Sequence, residues 1–348
     1  MALGPIMLDV EGLTLTPADR ELLREPAVGG VILFSRNFQS LNQLSDLVSA
    51  IRSVRVPPLL VATDHEGGRV QRFRDGFTVL PSMRRIGYLY SAEPTLALSL
   101  ARTVGWLTAS ELRASDIDLS FSPCVDIDWG VSEVIGNRSF HRSPSSVADL
   151  AASYCGGLRE GGIAPVAKHF PGHGGVVSDS HDVLPIDRRG FGELLEDMYP
   201  YDKLISNRKL AGVMLAHIIY AEMDKMPASF SSYWTQTQLR LQLGYDGAVF
   251  CDDLNMKATL KYGKMPDRAK LALESGCDMV LVCNNRLAAI STVNALREYS
   301  NPLSLVRLAR LHGTGQVMRE TLLTSEKWQR SVDRLKRGLK TPELSLDA

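Results

Sequence analysis

The sequence predicts a single α/β barrel of the (β/α)8, TIM type, and three observations lead there. Eight short runs dense in β-branched and apolar residues recur along the chain, with eight helix-like amphipathic stretches between them. The runs are almost continuously apolar, as strands covered on both faces of a parallel sheet must be. Polar residues then gather where the runs end, among them Asp9, Asp64, Lys168, His169, His217, Asp252 and Asn284. That end of a parallel barrel is where its active site is built.

In order along the chain, residues 6–10 (Ile-Met-Leu-Asp-Val) open the series, and Thr16 before Pro17 and Asp19 caps a helix over 17–24. The apolar run 28–34 leads into a helix over 41–54, and 59–64 precedes the long amphipathic stretch 95–115. The fourth strand is read as 119–127 and followed by a helix over 146–160, and the fifth as 165–170, followed by 191–206. The sixth, 212–220, pairs with a helix over 233–243. The seventh, 248–252, pairs with 266–275, after which Gly276 is a plausible C-cap. The eighth, 279–283, is followed by 286–299. A doubly wound sheet is the competitor, but it would place a glycine-rich phosphate turn after the first strand. Here that strand runs into Asp9-Val-Glu-Gly-Leu13, which is no such turn. Residues 1–300 are thus read as the barrel domain, and 301–348 as C-terminal helices (about 303–322 and 326–339) packed on its exterior, ending in a frayed tail.

With 39 Lys and Arg against 39 Asp and Glu among 348 residues, the net charge is zero. Basic residues are scattered rather than blocked, so the electrostatic footprint of a nucleic-acid binder is missing. No stretch approaches the roughly 18 apolar residues of a membrane span, and the first residues lack the basic and apolar regions of a secretory signal. Five cysteines, odd in number and mostly inside apolar runs, suit buried thiols in a reducing compartment. The expectation is a cytoplasmic monomer that needs no metal and no cofactor, and takes neither nucleic acid nor membrane as a partner. The triplet Asn137-Arg138-Ser139 matches a glycosylation acceptor by chance.

Three clusters carry the chemistry. Lys168-His169-Phe-Pro-Gly-His173-Gly-Gly continues to Asp179-Ser-His181-Asp182 and holds three of the seven histidines in 13 residues. Asp179 and His181 could pair, the carboxylate orienting the imidazole and favouring its protonated form, or both could simply stabilise the loop. Gly172, Gly174 and Gly175 at the base would let the segment swing. In the second cluster the seventh strand delivers Asp252 and Asp253 to the barrel mouth. Neighbours on a strand point to opposite sides, so one faces the axis and the other is anchored in the wall. If Asp252 is the reactive one, an ionised aspartate beside an anomeric carbon is the nucleophile of a retaining glycosidase. The third cluster, Asp64-His-Glu-Gly-Gly-Arg69-Val-Gln-Arg72, combines a carboxylate and arginines, a composition that suits sugar hydroxyls or surface ion pairs alike. Arg138 adds a donor after the fourth strand.

Asp-x-Glu-Gly-Gly-Arg-Val-Gln-Arg-Phe from Asp64, Ile-Gly-Asn-Arg-Ser-Phe around Arg138, Lys-His-Phe-Pro-Gly-His-Gly from Lys168 with Asp-Ser-His following, and Asp-Asp-Leu-x-Met from Asp252 occur in this order. Together they resemble the bacterial β-N-acetylglucosaminidases of glycoside hydrolase family three, over residues 8–285. The resemblance implies a single-domain barrel that is cytoplasmic and removes terminal N-acetylglucosamine from 1,6-anhydro-muropeptides in cell-wall recycling. It puts the nucleophile on Asp252, the general acid/base on His181 with Asp179 as its partner, and sugar contacts on Asp64, Arg72, Arg138, Lys168 and His169. Three departures stand out: Cys251 where Ser is frequent before the nucleophile, Lys257-Ala258-Thr259 after the Asp-Asp motif, and His65 where Gln is common.

Rival readings remain. Lys168 could form a Schiff base if an apolar site lowered its pKa, as in barrel aldolases. His169, His173, His181 and Asp252 could hold a divalent metal in a metallohydrolase. A non-catalytic sugar-binding module would keep Asp64 and the arginines without needing Asp252. Within the family, a neutral histidine acid/base would not repel phosphate, which leaves phosphorolysis beside hydrolysis.

Overall fold

A computed structural model describes residues 3–177, 180 and 184–338. Its centre is a ring of eight parallel strands: β1 (Ile6–Asp9), β2 (Val28–Leu33), β3 (Leu60–Thr63), β4 (Leu119–Ser120), β5 (Val166–Phe170), β6 (Gly212–Leu215), β7 (Ala248–Cys251) and β8 (Met279–Val282). β1 pairs with both β2 and β8, Leu8 lying opposite Val31 on one side and Val282 on the other. The gap between β4 and β5 is closed by the chain just after β4. There Val166 N–H donates to Ser122 O at 3.0 Å and Val125 N–H to Lys168 O at 2.9 Å. The expected barrel is therefore present.

Two strands are shorter than the sequence suggests. Pro123 has no N–H to give and Ser122 N–H turns back to Ser120 O, so regular pairing in β4 stops after Ser120 although the chain stays extended. The sixth run leaves the barrel at Leu215, and its end, Ile219–Tyr220, pairs instead with Ile186–Asp187 above the rim. One helix, Met83–Ala92, lies in a stretch the apolar pattern left unassigned.

The helices follow local chemistry. Thr16 and Asp19 form a reciprocal capping box, Thr16 Oγ1 accepting from Asp19 N–H at 3.1 Å and Asp19 Oδ2 from Thr16 N–H at 2.9 Å. Gly276 ends the helix Met265–Ser275 in the left-handed region at φ 116°, where a side chain would be strained. The expected helix over 303–322 is two, Pro302–Ala309 and Arg319–Thr324. Between them the chain is not helical, and Gly313 N–H donates to Asp118 Oδ1 at 2.9 Å. The last described helix, Glu326–Gly338, seats Trp328, Val332 and Leu335 against the core and Trp328 Nε1 on Glu111 Oε1 at 2.8 Å. No helix among the described residues is long and apolar enough to cross a membrane.

Candidate active site

At the C-terminal ends of the strands lies a pocket of about 530 Å³. Ile32, Phe121, Met214 and Leu281 line it, one from each even-numbered strand or its direct extension, which is the layer of four that closes a barrel's interior. Polar groups delivered by the odd-numbered strands face them: Asp64 after β3, Lys168 and His169 on β5, and Asp252 and Asp253 after β7.

The wall between β3 and β5 is an ion cluster. Lys168 Nζ donates to Asp64 Oδ1 at 2.8 Å and lies 2.6 Å from Glu66 Oε1. Arg138 grips Glu66 with two parallel bonds of 2.9 Å, and Arg72 Nη2 reaches Asp64 Oδ2 at 3.2 Å. Burial alone would raise both carboxyls, but Lys168 and Arg72 outweigh it at Asp64, and Arg138 and Lys168 at Glu66, so both are held below the ordinary range. Burial alone would likewise lower Lys168, yet Asp64 and Glu66 hold its ammonium above its usual value. A protonated amine is no nucleophile, which removes the support for a Schiff base.

His169 is fixed from behind. Asp126, buried and outside the pocket lining, accepts from His169 Nδ1 at 2.7 Å, from His169 N–H at 3.2 Å and from His173 N–H at 2.7 Å. With Nδ1 carrying the proton, His169 Nε2 turns a lone pair toward Arg138 Nη2 at 3.4 Å and the pocket. Cys124, Asp126 and His169 put possible metal-ligand atoms within 4.8 Å of one another, but they are engaged with each other, Cys124 Sγ donating to Asp126 Oδ2 at 3.2 Å.

After β7 the two carboxylates both line the pocket but differ in their partners. Asp253 Oδ1 is taken by the N–H groups of Asn255 and Cys283, both at 3.0 Å, and burial pushes its carboxyl up to about 7. Asp252 Oδ1 accepts from Asp253 N–H at 2.8 Å. His217 Nε2 lies 3.1 Å from the carbonyls of both aspartates, and its Nδ1 lies 2.7 Å from Ser229 Oγ.

Among the residues singled out from sequence, the structure brings Asp64, Arg72, Arg138, Lys168, His169 and Asp252 into this one pocket. Asp179 and His181 lie outside the described residues. Gly174 and Gly175 at the base of the loop have a packing role as well. A Cβ on Gly174 would sit 1.8 Å from Ile127 O, and one on Gly175 2.1 Å from Arg189 Nη2, so these glycines permit close seating. Two groups central to the site were not among the selected residues. Glu66 could have been found from strand alternation, which puts it on the side of Asp64. For Asp126 no local signal marks its histidine partner.

The departures leave the pocket intact. His65 points the other way, onto Phe73 and Phe77 at ring distances of 5.8 and 5.6 Å, with burial pushing it down to about 3. Cys251 Sγ donates to the Asp252 backbone carbonyl at 3.1 Å, and burial raises its thiol, which stays protonated. Thr259 Oγ1 donates to Leu254 O at 2.7 Å and accepts from Arg268 Nη1 at 2.8 Å.

Residues 7–310 match the model of the glycosyl hydrolase family 3 N-terminal domain. A β-hexosaminidase of Thioalkalivibrio sulfidiphilus is 51% identical over 331 residues, 95% of each chain, and one of Alkalilimnicola ehrlichii is 48% identical over the full length of both. Among solved structures, native NagZ from Neisseria gonorrhoeae superposes with a TM-score of 0.92 at 40% identity, covering 98% of this chain and 99% of that one. The same protein in complex with N-trifluoroacetyl-D-glucosamine superposes with a TM-score of 0.91 at 41% identity and the same coverage. A polar pocket at the C-terminal mouth of a parallel barrel, together with these matches, establishes that the chain belongs to glycoside hydrolase family 3 and is a glycoside hydrolase.

Proposed function

We propose that the protein is a retaining, exo-acting β-N-acetylglucosaminidase that removes terminal non-reducing N-acetylglucosamine from 1,6-anhydro-muropeptides in the cytoplasm, during peptidoglycan recycling. The observation that carries this reading is the pocket itself: a carboxylate wall of Asp64 and Glu66, clamped by Lys168, Arg138 and Arg72, with Asp252 lining the same cavity. Carboxylates ionised by paired cations accept from vicinal hydroxyls, and Arg and Lys protons left over donate to the ring and its substituents. His169, with its lone pair turned inward, accepts one more hydroxyl. The amino-sugar class is supported by the β-hexosaminidase relatives and by the N-trifluoroacetyl-D-glucosamine complex of the neighbouring structure.

In this mechanism Asp252 attacks the anomeric carbon as the glycosidic bond breaks, and the aglycone oxygen takes a proton from His181, oriented by Asp179. Water, deprotonated by the same histidine, then displaces Asp252 and leaves the anomeric configuration retained. Asp253, held by two N–H groups and with its carboxyl raised by burial to about 7, carries less negative charge beside the nucleophile than an ordinary aspartate would. The test is labelling with a 2-deoxy-2-fluoroglucoside, in which fluorine replaces the acetamido group, bearing an activated leaving group. A covalent sugar on Asp252, located by mass spectrometry, and a fall of several orders of magnitude in turnover for Asp252→Asn are expected. A label on Asp253, or inversion in the first-formed product, would refute the mechanism.

A further inference from the structure

We propose that Ser180 is a positioning residue for the general acid, tying the loop after β5 to the segment that follows Asp252. The proposal rests on the reading of His181 and Asp179 as the acid/base pair, since Ser180 is the residue between them. Ser180 is 2% exposed and lines the pocket. Its Oγ lies 3.1 Å from His173 Nε2, and its backbone carbonyl accepts from Ala258 N–H at 3.2 Å.

Both ends of this tie are themselves fixed. His173 is buried, its N–H is held by Asp126 at 2.7 Å, and its ring meets His169 edge-on at 5.6 Å. Its Nδ1 has no partner among the described residues, which leaves the bond to Ser180 as the side chain's one polar contact there. Ala258 belongs to the helical turn Lys257–Tyr262, clamped beneath by Thr259 on Leu254 and by Arg268. A buried hydroxyl left without a partner costs free energy, so the Ser180–His173 bond holds its loop wherever Ser180 stays buried.

Function follows from covalent continuity. Asp179 and His181 are each joined to Ser180 by one peptide unit, so fixing Ser180 restricts where both can go. The acid must meet the glycosidic oxygen beside the carbon that Asp252 attacks, so the β5 and β7 loops need a fixed mutual position. Ser180 is bonded to groups in both.

The experiment compares two substrates in full-length enzyme: a 2,4-dinitrophenyl N-acetyl-β-glucosaminide, whose departure needs no proton, and a disaccharide with terminal N-acetylglucosamine, whose departure does. Ser180→Ala and His173→Phe are each expected to cut kcat/KM on the disaccharide about tenfold while changing it less than about threefold on the dinitrophenyl glycoside. The double variant should be no worse than either single one, and His173→Gln, which keeps a hydrogen-bonding group near the Nε2 position, should retain the wild-type ratio. Losses equal on both substrates, an additive double variant, or an unchanged disaccharide rate would overturn the proposal. If one single variant loses its cooperative unfolding transition, the other carries the comparison. His181→Ala on the same pair separates the two ideas. Selective loss there beside non-selective loss in Ser180→Ala overturns the positioning role alone. Equal losses in His181→Ala overturn the acid assignment and this proposal with it.

Discussion

Replacing Glu66 by Gln exchanges one oxygen for an amide nitrogen at the centre of the ion cluster. Glu66 accepts three charged donors on two oxygens: Arg138 Nη2 and Lys168 Nζ on Oε1, and Arg138 Nε on Oε2. Gln keeps one acceptor oxygen and turns an NH2 toward either Arg138 Nε or the other pair, donor against donor. Because Glu66 and Lys168 are almost completely inaccessible, the cations left behind recover little hydration. Removing one partner of a buried ion pair costs about 3–5 kcal/mol. An unfolding entropy of about 2.1 cal/mol/K per residue gives roughly 0.7 kcal/mol/K for the 348-residue chain, so Tm should fall by roughly 4–7 °C.

The pH dependence carries a sign. Glu66 is held below its ordinary range, so its contribution is complete above the unfolded value near 4.5 and is lost as pH falls toward the folded one. Differential scanning calorimetry should therefore show the largest gap between wild type and Glu66→Gln at pH 7, narrowing below about pH 4.5. The same change frees Arg138 from its aim at the pocket, so kcat/KM should drop by about a hundredfold. A Tm within 1 °C of wild type, or a gap that stays constant down to pH 3, would show that the cluster does not hold the charges as described.

Asp253→Asn should act with the opposite sign. A carboxyl raised to about 7 by burial costs stability once it ionises, so the variant, which can keep both N–H bonds on Oδ1, should gain on wild type as pH rises from about 4 to 8 in urea titrations. It should still take the 2-fluoro label on Asp252. Asp126→Asn should reverse the His169 tautomer, since an amide facing Nδ1 favours a proton on Nε2, opposite Arg138 Nη2. The imidazole 15N shifts should exchange, and kcat/KM should fall by about 10- to 100-fold with the fold kept through His173 N–H.

Much of this architecture was legible in the residues themselves. The eight apolar runs, the Thr16–Asp19 cap and the Gly276 terminator are local signals, each decided within a few residues by pleat, capping or backbone freedom. Strand alternation predicted that Asp252 and Asp253 part, whereas both line the pocket. It named no partners, and the structure supplies the N–H groups of Asn255 and Cys283 for Asp253. Local pattern failed where distant chain decides. The 303–322 helix is interrupted where Gly313 N–H is held by Asp118, and Gly174 sits hard against the Ile127 carbonyl.

The sequence by itself determined the period of the barrel, the strand ends that carry polar groups, and the motifs that identify the family, because each is written in neighbouring residues. The tertiary structure alone decided the charge states and aim of those groups. Glu66 meets Arg138 from 72 positions away, and Lys168 meets Asp64 from 104, and only closing the ring brings three strands' ends within hydrogen-bond reach. Whether a buried carboxylate stays ionised, like Glu66, or is pushed up to about 7, like Asp253, depends on which cations or N–H groups the other strands bring to it. Burial and Coulomb interaction are sums over neighbours in space, and those neighbours exist only once the barrel has closed.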